Sequence, residues 1–427
     1  MKRSSLVFLG VAGFVAAVLA PIACSPVGKP IPNPCANDPD SCASSGGGGG
    51  SGPTASSSGD TGGSFVTSVS SSSGVGGAII MCDNDPNVDD DGDGTTENQG
   101  DCNDCDPNVG PGAVEVLTDP NDPTAIVADE DCDGMADNVA PSCDGNLMLD
   151  DTTAENGVRA VDICQFVNPG EPKWGVREAM YVRANGAPAS PNFQAGLLAN
   201  FGPNVVPQGG NRLLVLSTGR ARLPGQPDAC NMVTCAGSGM GVPPMGFPQD
   251  PINCPVSTTI SDDVGLQVRL RAPANATGYK FSFKFYTFEY PENICGMYND
   301  QFITLVNPAP PGAINGNISF DSQKKPVSVN IAFFDVCEYN AAYPQYLCAL
   351  GPSEMDGTGF NTWNSAGGTA WLESHAPIQG GQDFTIRWTI WDTGDFGVDS
   401  TAIVDNFQWI AKGGTVVVGT DPIPDPL

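Results

Sequence analysis

The sequence predicts a mainly β protein whose largest part is a β-sandwich of jelly-roll type. Glycine (53) and proline (38) are abundant among the 427 residues, which favours turns and strands over long helices. Bulky or β-branched residues alternate with polar ones, most clearly over residues 279–289 and 385–390. Turn signals separate such runs at the spacing typical of sandwiches.

The charge of the chain is strongly negative. Its net charge is -30, and between positions 31 and 158 it contains no Lys or Arg. Nucleic acid is therefore excluded as an expected partner, since it requires a basic surface. Because uncompensated carboxylates repel one another, a compact form of the acidic region requires an external cation.

Residues 1–23 have the parts of an export signal, with Lys2 and Arg3 before an apolar run. Cys24 then follows Pro21-Ile22-Ala23, which resembles a bacterial lipobox, where the cysteine is lipidated. This resemblance, with Ser25 next, implies an anchor in outer-membrane lipid. Lipidation would also leave an even number of the 15 cysteines for disulfides. The alternative is ordinary cleavage, with Cys24 paired elsewhere.

Residues 24–80 are rich in Gly and Ser and predict a flexible tether. Cys35 and Cys42 flank a short polar segment within it and are candidates for a local disulfide. The expected role of this segment is to hold the folded part away from the membrane.

Residues 81–140 form a predicted acidic module, which holds 18 Asp or Glu and no Lys or Arg between positions 81 and 137. Carboxylates at alternate positions followed by glycine place several oxygens around one ion, as in a calcium loop. The predicted metal ligands are Asp89, Asp91, Asp93, Asp101, Asn103, Asp104, Asp106, Asp129, Asp131, Asp133 and Asp137. The alternative is a disordered acidic spacer.

The module is not an EF-hand pair, because Gly100 and Ala140 stand where the bidentate Glu is required. It resembles the aspartate-and-cysteine metal-binding motif of myxobacterial surface proteins. The matching parts are residues 89–94, 101–104, 111–113 with Glu115, and 129–137. That resemblance implies metal binding. Residues 116–128 replace the family's Cys-Asp-Gly, so part of the disulfide pattern differs.

Residues 162–412 form the predicted sandwich, and residues 413–427 a C-terminal tail. Segment 174–179 is expected to be a strand or a helical turn. Further strands are expected at residues 212–217, 264–270, 279–289, 302–306, 317–320, 326–334, 369–372, 385–390 and 402–409. The long loop 224–254 needs crosslinks, which Cys230, Cys235 and Cys254 can supply. Cys230 with Cys235, and Cys337 with Cys348, are the expected local pairs.

The last two predicted strands form a hairpin around an acidic loop, with Gly394 and Gly397 as breakers. We expect a second calcium site at this rim of the sandwich. Its candidate ligands are Glu289, Asp300, Asp392, Asp395, Asp399 and Asp405, with Glu292 and Asn299 in the same loops. The alternative is that these carboxylates cap turns and accept backbone hydrogen bonds.

Seven motifs in order over residues 162–411 resemble the choice-of-anchor L family of bacterial surface proteins. They are WGVREA, LLVLSTGRA, FSFKFYTFEYPE, YNDQF, PVSVN, GGTAWLESHAPI and WDTGDFGVDSTAIVDNFQW. The resemblance implies a cell-surface location and carries no established activity. Because no C-terminal sorting signal follows the domain, Cys24 is the expected anchor.

The expected function is non-enzymatic binding or adhesion to a surface protein or polysaccharide, with calcium as a folding cofactor. The alternatives are a polysaccharide hydrolase using Glu289 and Glu292, or a purely structural envelope protein. A histidine-based catalytic triad is not expected, because His375 is the only histidine in the sequence and is predicted to lie in an exposed turn.

Overall fold

The computed structural model describes residues 82, 85–119, 121, 126–168, 171, 173–235, 237–249, 254–330, 336–338, 348–363, 366–411 and 414–423. The predicted export signal and tether, with Cys24, Cys35 and Cys42, lie outside these residues. All described residues fall in one compact unit, Gly76–Leu427. In this part of the chain, no helix is both long and apolar enough to cross a bilayer.

The described residues form one short α-helix, several 3₁₀ turns and a series of strands. In chain order the helix and strands are α1 (Ala154–Arg159), β1 (Gly175–Val182), β2 (Ala195–Leu198), β3 (Leu213–Ser217), β4 (Ile260–Arg271), β5 (Gly278–Thr287), β6 (Gln301–Asn307), β7 (Val327–Ser328), β8 (Val336–Glu338), β9 (Gly367–Thr369), β10 (Leu372–Pro377), β11 (Asp383–Thr393), β12 (Ser400–Ile410) and β13 (Gly419–Pro422). The 3₁₀ turns are Glu97–Gln99, Asn192–Gln194, Gly351–Met355 and Phe360–Thr362.

The strands make two antiparallel sheets, which confirms the predicted β-sandwich. One sheet has the order β1-β4-β11-β6-β7 and the other β13-β10-β5-β12-β3-β2, with β9 joining β5 to β8. The predicted hairpin of the last two long strands is wrong, because β11 and β12 belong to different sheets. The acidic loop between them crosses from one layer to the other at one end of the sandwich.

The aromatic residues of β5 fill the space between the sheets. The rings of Phe281 and Trp388 meet edge to face with centroids 5.5 Å apart, and those of Phe283 and Phe302 lie 5.2 Å apart. All four side chains are buried. The period of two in β5 therefore reflects an inward aromatic face packed on β11 and β6.

The other face of β5 is buried as well. Tyr286 lies there with its ring 5.5 Å from that of Phe360, in a segment that folds over the outside of the sheet. Lys284 on the same face forms an ion pair with Glu354, and neither residue is exposed to solvent. An alternating strand often leaves one face in water, but here the covering segment creates a second core.

The other predicted elements have mixed outcomes. Segment 174–179 forms the start of β1 from Gly175 onward, while residues 317–320 form only isolated bridges rather than a strand. Residues 419–422, predicted as tail, form the edge strand β13 against β10. His375 lies within β10 and is half-buried, so the expected exposed turn is wrong there.

Six disulfides connect the described cysteines. The predicted pairs Cys230–Cys235 and Cys337–Cys348 are both present. The remaining pairs are Cys82–Cys105, Cys102–Cys132, Cys143–Cys164 and Cys254–Cys295. Cys254 thus ties the long loop to the segment after β5 instead of crosslinking the loop internally.

The acidic module is docked on the sandwich by hydrogen bonds to residues 274 and 275. The N–H of Ala274 donates to the carbonyl of Gly112 at 2.8 Å. The side chain of Asn275 accepts from the Val114 N–H at 3.0 Å and donates to its carbonyl at 2.8 Å. The position of the module is therefore fixed by the turn between β4 and β5.

Candidate metal centres

The first group of converging carboxylates consists of Asp89, Asp91 and Asp104. One oxygen from each lies within 4.8 Å of the others. Asp89 accepts hydrogen bonds from the N–H groups of Gly92 at 2.7 Å and Gly94 at 3.0 Å, so the glycine-containing turn wraps around its carboxylate. Gly92 and Gly94 have φ of 82° and 98°, a region that glycine adopts without strain.

Carboxylate oxygens without hydrogen-bond partners distinguish Asp91, Asp104 and the neighbouring Asp101 from ordinary turn caps. Asp91, Asp101 and Asp104 each use Oδ1 to accept one backbone N–H, at 2.9, 2.8 and 3.3 Å respectively. The Oδ2 atom of each is buried and has no hydrogen-bond partner among the described residues. Asp101 and Asp104 are only 4 % exposed. Buried carboxylate oxygens without a partner are costly, and a bound cation would satisfy them.

The same environment changes the acidity of these carboxyls. Burial, with added repulsion from Asp93, Asp101 and Asp104, raises the pKa of Asp91 to about 6. Burial likewise raises the pKa of Asp101. In the absence of a cation, this site therefore takes up protons more readily than isolated carboxylates do.

The second group consists of Glu115, Asp129 and Asp131, whose oxygens also lie within 4.8 Å of one another. Asp129 holds its turn as Asp89 does, accepting from the N–H groups of Asp133 at 3.1 Å and Gly134 at 2.9 Å. The Oε1 atom of Glu115 is buried without a hydrogen-bond partner in the described chain. Glu115 was absent from the predicted ligands, although it stands in the motif that the resemblance covers.

Other predicted ligands do not join these groups. Asp137 accepts from the Thr118 hydroxyl at 2.5 Å and so holds the loop before it. Asp106 accepts two hydrogen bonds from Asn108. Asp93 and Asp133 cap turns by accepting from the N–H groups of Thr95 and Met135, and Asn103 is exposed. The spacing of these residues predicted that all of them bind metal, whereas in the structure some converge on a common point and others cap turns.

The rim of the sandwich brings together Glu289, Asp300, Asp392 and Asp399. Asp300 accepts from the Thr393 N–H at 2.9 Å and from the Ser400 hydroxyl at 2.6 Å, so it connects the end of β11 to the start of β12. Its own N–H donates to Glu289 at 3.4 Å. Neither oxygen of Asp392 has a hydrogen bond of normal geometry within the described chain.

Burial and mutual repulsion raise the pKa values of this rim cluster. The pKa of Asp300 rises to about 7, that of Asp399 to about 8 and that of Glu289 to about 10, in each case mainly through burial. The pKa of Asp392 is raised well above its usual value for the same reason. Near neutral pH this cluster therefore holds more protons than the same number of isolated carboxylates would.

Two observations limit the rim cluster as a metal site. Among the described residues, the compact group that includes Asp399 consists of Asp399, Cys230 and Cys235, and these two sulfurs are joined in a disulfide and so are not ligands. Asp395 is half-buried and accepts from the Gly397 N–H, as a turn cap does. The oxygens here are thus less convergent than those of the acidic module.

Asp405 does not belong to the rim cluster, contrary to the prediction. It lies six residues beyond Asp399 along β12, about 20 Å away at the rise of a strand. Its Oδ2 accepts from the N–H groups of Gln208 at 2.5 Å and Gly209 at 3.3 Å, and the charge of Asp162 helps to raise its pKa. The alternation of the strand did not reveal how far along it this carboxylate would lie.

The sequence also missed two carboxylates inside β4. Asp262 accepts from the Gly239 N–H, and Asp263 forms an ion pair with Arg183 at 2.7 Å. Both are buried, and they hold the loop before β4 against the rim. Consecutive aspartates within an apolar strand were the signal that could have identified them.

Glu289 and Glu292 do not form the facing carboxylate pair of the hydrolase alternative. Glu289 is 1 % exposed inside the rim cluster, whereas Glu292 is exposed to solvent. Asn299, predicted beside them, is buried and accepts from the Asn330 side chain at 2.7 Å. This loop therefore places its polar groups in separate environments.

Comparison with known proteins agrees with the architecture. Residues 254–406 match the family model of the Choice-of-anchor L domain. This confirms the resemblance noted in the sequence, and strands β1 to β3 of the same two sheets precede the matched segment. The match indicates a bacterial cell-surface protein. No curated protein matches the chain.

Proposed function

We propose that this bacterial surface protein, which carries a Choice-of-anchor L domain, is a non-enzymatic binding or adhesion protein with calcium as a folding cofactor. In this proposal a lipid on Cys24 anchors the chain in the outer membrane, and the Gly/Ser-rich segment gives it reach. The observation that supports a cation is the set of buried, unpartnered oxygens on Asp91, Asp101 and Asp104.

The donor set favours calcium over a transition metal. The two converging groups of the acidic module offer carboxylate oxygens alone, and the cysteines beside them are in disulfides. Hard oxygen ligands in an irregular loop suit calcium, which accepts six to eight of them and tolerates varied geometry. Backbone carbonyls and water would complete the shell.

The proposed sites explain how so acidic a segment folds. A divalent ion in each group would neutralise part of the charge that holds the carboxylates apart. Extracellular calcium modules have dissociation constants of about 10⁻⁴ to 10⁻³ M. A protein on the cell surface with such affinity would be folded at millimolar calcium and loosened when calcium is removed.

Calcium titration calorimetry of the oxidised full chain, with a thermal melt at each end point, tests the proposal. We expect at least two ions to bind and the melting temperature to rise. Asp91→Asn should remove one equivalent and Asp131→Asn another, because each variant loses one converging carboxylate. Asp119→Asn is the matched control, since Asp119 is an exposed aspartate of the same module outside both groups.

Absence of binding, with an unchanged melt, would overturn the calcium proposal. Loss of an ion in Asp119→Asn would show that the effect follows overall charge rather than the two groups. The anchor is tested separately by replacing Cys24 with Ser: the variant should leave the membrane fraction, and retention there would contradict lipidation.

The rim cluster is a second candidate calcium site. Asp392→Ala with Asp399→Ala should remove one further equivalent, because Asp392 is buried beside the carboxylates of Asp300 and Asp399. Asp383→Ala is the control, as Asp383 lies at the exposed end of the same strand. Unchanged stoichiometry in the double variant would show that the rim binds no calcium.

A further inference from the structure

A cavity of about 430 Å³ opens beside β2 and β3, away from the acidic module. Its walls come from four segments: the stretch before α1, the 3₁₀ turn before β2, the chain directly after β3, and the loop before β4, which contributes Gly237. The lining residues used below are Asp150, Thr152, Asn192, Phe193, Arg220 and Arg222. The volume lies within the range of small-ligand sites, about 300 to 1,000 Å³.

Arg220 is held in this cavity without a charged partner. Its guanidinium carbon lies 4.6 Å from the centroid of the Phe193 ring, so the group stacks on an aromatic face. Within the described part of the chain, the Arg220 side chain makes no ion pair and no hydrogen bond. Arg220 therefore keeps a positive charge in the cavity that no acidic side chain among the described residues neutralises, in a chain with 48 acidic and 18 basic residues.

Arg222 shows the contrast. Its guanidinium pairs with Asp150 at 2.5 Å and donates to the carbonyls of Ala195 at 3.0 Å and Ala221 at 2.8 Å. The negative charge of Asp150 in the cavity wall is thereby balanced. The donors of Arg220 remain available to a molecule that enters from solvent.

The floor of the cavity is a rigid backbone surface. A Cβ on Gly219 would lie 1.8 Å from an oxygen of Asp399, and one on Gly237 would lie 2.1 Å from the Thr218 carbonyl oxygen. The side chain of Gln194 donates to the carbonyls of Ser217, Thr218 and Asp262, which joins the walls. The cavity is therefore formed before any ligand arrives, which lowers the entropy cost of binding.

We infer that this cavity binds a carboxylate-bearing sugar, a hexuronate unit of an acidic polysaccharide, with its carboxylate on Arg220. A guanidinium fixed flat by stacking presents a fork of donors that matches a carboxylate. The Thr152 hydroxyl and the Asn192 amide suit ring hydroxyls. The Phe193 ring lies under the guanidinium groups of Arg220 at 4.6 Å and Arg222 at 5.7 Å, so its role is to hold these cations in place.

Other anionic ligands fit less well. A phosphate dianion favours more than one available cation, whereas Arg222 is already engaged in this cavity. An apolar peptide anchor needs a larger hydrophobic surface than the single exposed ring offers. The inference rests on the proposed surface-binding function and names the ligand class of that function.

Calorimetry on the oxidised full chain at fixed calcium tests the inference. Glucuronate and galacturonate are the probes, with glucose, glucose 6-phosphate and acetate as comparisons. We expect the uronates to bind at least tenfold more tightly than the three comparison compounds. Arg220→Ala should weaken uronate binding at least tenfold, and Arg220→Lys should recover only part, since ammonium lacks the planar fork.

Arg269→Ala is the matched control, because Arg269 is an exposed arginine on β4. It should leave uronate affinity unchanged, and the melting temperature of each variant verifies folding. Equal binding of glucuronate and glucose, tighter binding of glucose 6-phosphate, or wild-type affinity in Arg220→Ala would each overturn the inference. So would absence of uronate binding.

A second arm separates this inference from the proposed function. Wild type and Arg220→Ala are incubated with insoluble bacterial envelope material and with acidic polysaccharide. Loss of polysaccharide binding in the variant supports the inference. Equal binding by both proteins overturns the inference but leaves surface binding intact, whereas absence of binding by wild type to either material contradicts the proposed function as well.

Discussion

Replacing Asp405 with Asn should change how the stability of this protein depends on pH. Asp405 is completely buried, and its Oδ1 has no hydrogen-bond partner in the described chain. Burial, with the charge of nearby Asp162, raises its pKa to about 8. Asn has nearly the same shape and no proton to lose, so the substitution isolates the titration of this group.

The sign and size of the effect follow from linkage. An unfolded Asp has a pKa of about 3.9, so between pH 4 and 8 the folded protein retains a proton that the unfolded chain has released. The stability contributed by Asp405 is therefore fully present below pH 4 and is lost as pH rises towards 8. The loss is about 1.4 kcal/mol per pH unit, or about 2.7 kcal/mol between pH 5 and pH 7.

The assay is urea unfolding of oxidised wild type and Asp405→Asn at pH 5, 6 and 7 in the presence of a chelator. Other carboxyls titrate in both proteins, so their contributions cancel in the difference between the two free energies of unfolding. The advantage of wild type over the variant should shrink by about 2.7 kcal/mol across this range. Asp119→Asn, at an exposed position, should show a constant difference.

A constant difference between wild type and Asp405→Asn would refute the reasoning, because it would mean that folding does not change the protonation of Asp405. A difference that grows with pH would also refute it. That result would mean that the folded state stabilises the ionised carboxylate, for example through a cation shared with Asp162.

Two further substitutions test a buried ion pair and the docking of the acidic module. Lys284→Met should lower the free energy of unfolding by about 3–5 kcal/mol, because it leaves the buried charge of Glu354 without its ammonium partner. Chemical denaturation should show partial recovery of stability when Glu354→Gln is added, and absence of recovery would contradict the role of this ion pair. Asn275→Ala removes two hydrogen bonds to Val114 and should speed amide hydrogen exchange at residues 112–116, while strand β5 keeps its protection from exchange. Unchanged exchange at residues 112–116 would show that other contacts dock the module.

The sandwich could be predicted because alternation of side chains identifies strands that bury one face. It does not identify the neighbour of each strand, and for that reason β11 and β12 were expected to pair. Residues 394–399 have turn composition in either arrangement, whether they close a hairpin or cross between layers. The apolar patterns of β11 and β12 are compatible with a hairpin and with strands in different sheets.

The spacing of the carboxylates predicted that some of them converge in the acidic module, because these residues lie close together in the sequence. Asp89 and Asp91 are two positions apart, and Asp104 follows in the same disulfide-linked segment. The cavity at Arg220 offers no such signal, since Phe193 is 27 positions away and Asp150 is farther still. Local chemistry can be read from spacing, whereas this cavity depends on the pairing of β2 with β3.

In the part of the chain that the structure describes, the acidic module, the rim and the surroundings of Asp405 each gather carboxylates without enough basic partners, and solvent access differs among them. In the acidic module, oxygens converge in a partly exposed segment, so an ion can enter without unfolding the site. Asp405 is enclosed between a strand and a loop, and burial raises its pKa to about 8, which favours a retained proton. The rim lies between these limits, because Asp392 is buried like Asp405 but has several other carboxylates beside it. If calcium occupies the rim, Asp392→Ala with Asp399→Ala removes an equivalent of bound ion; if protons do, the same variant flattens the dependence of stability on pH and leaves the ion count unchanged.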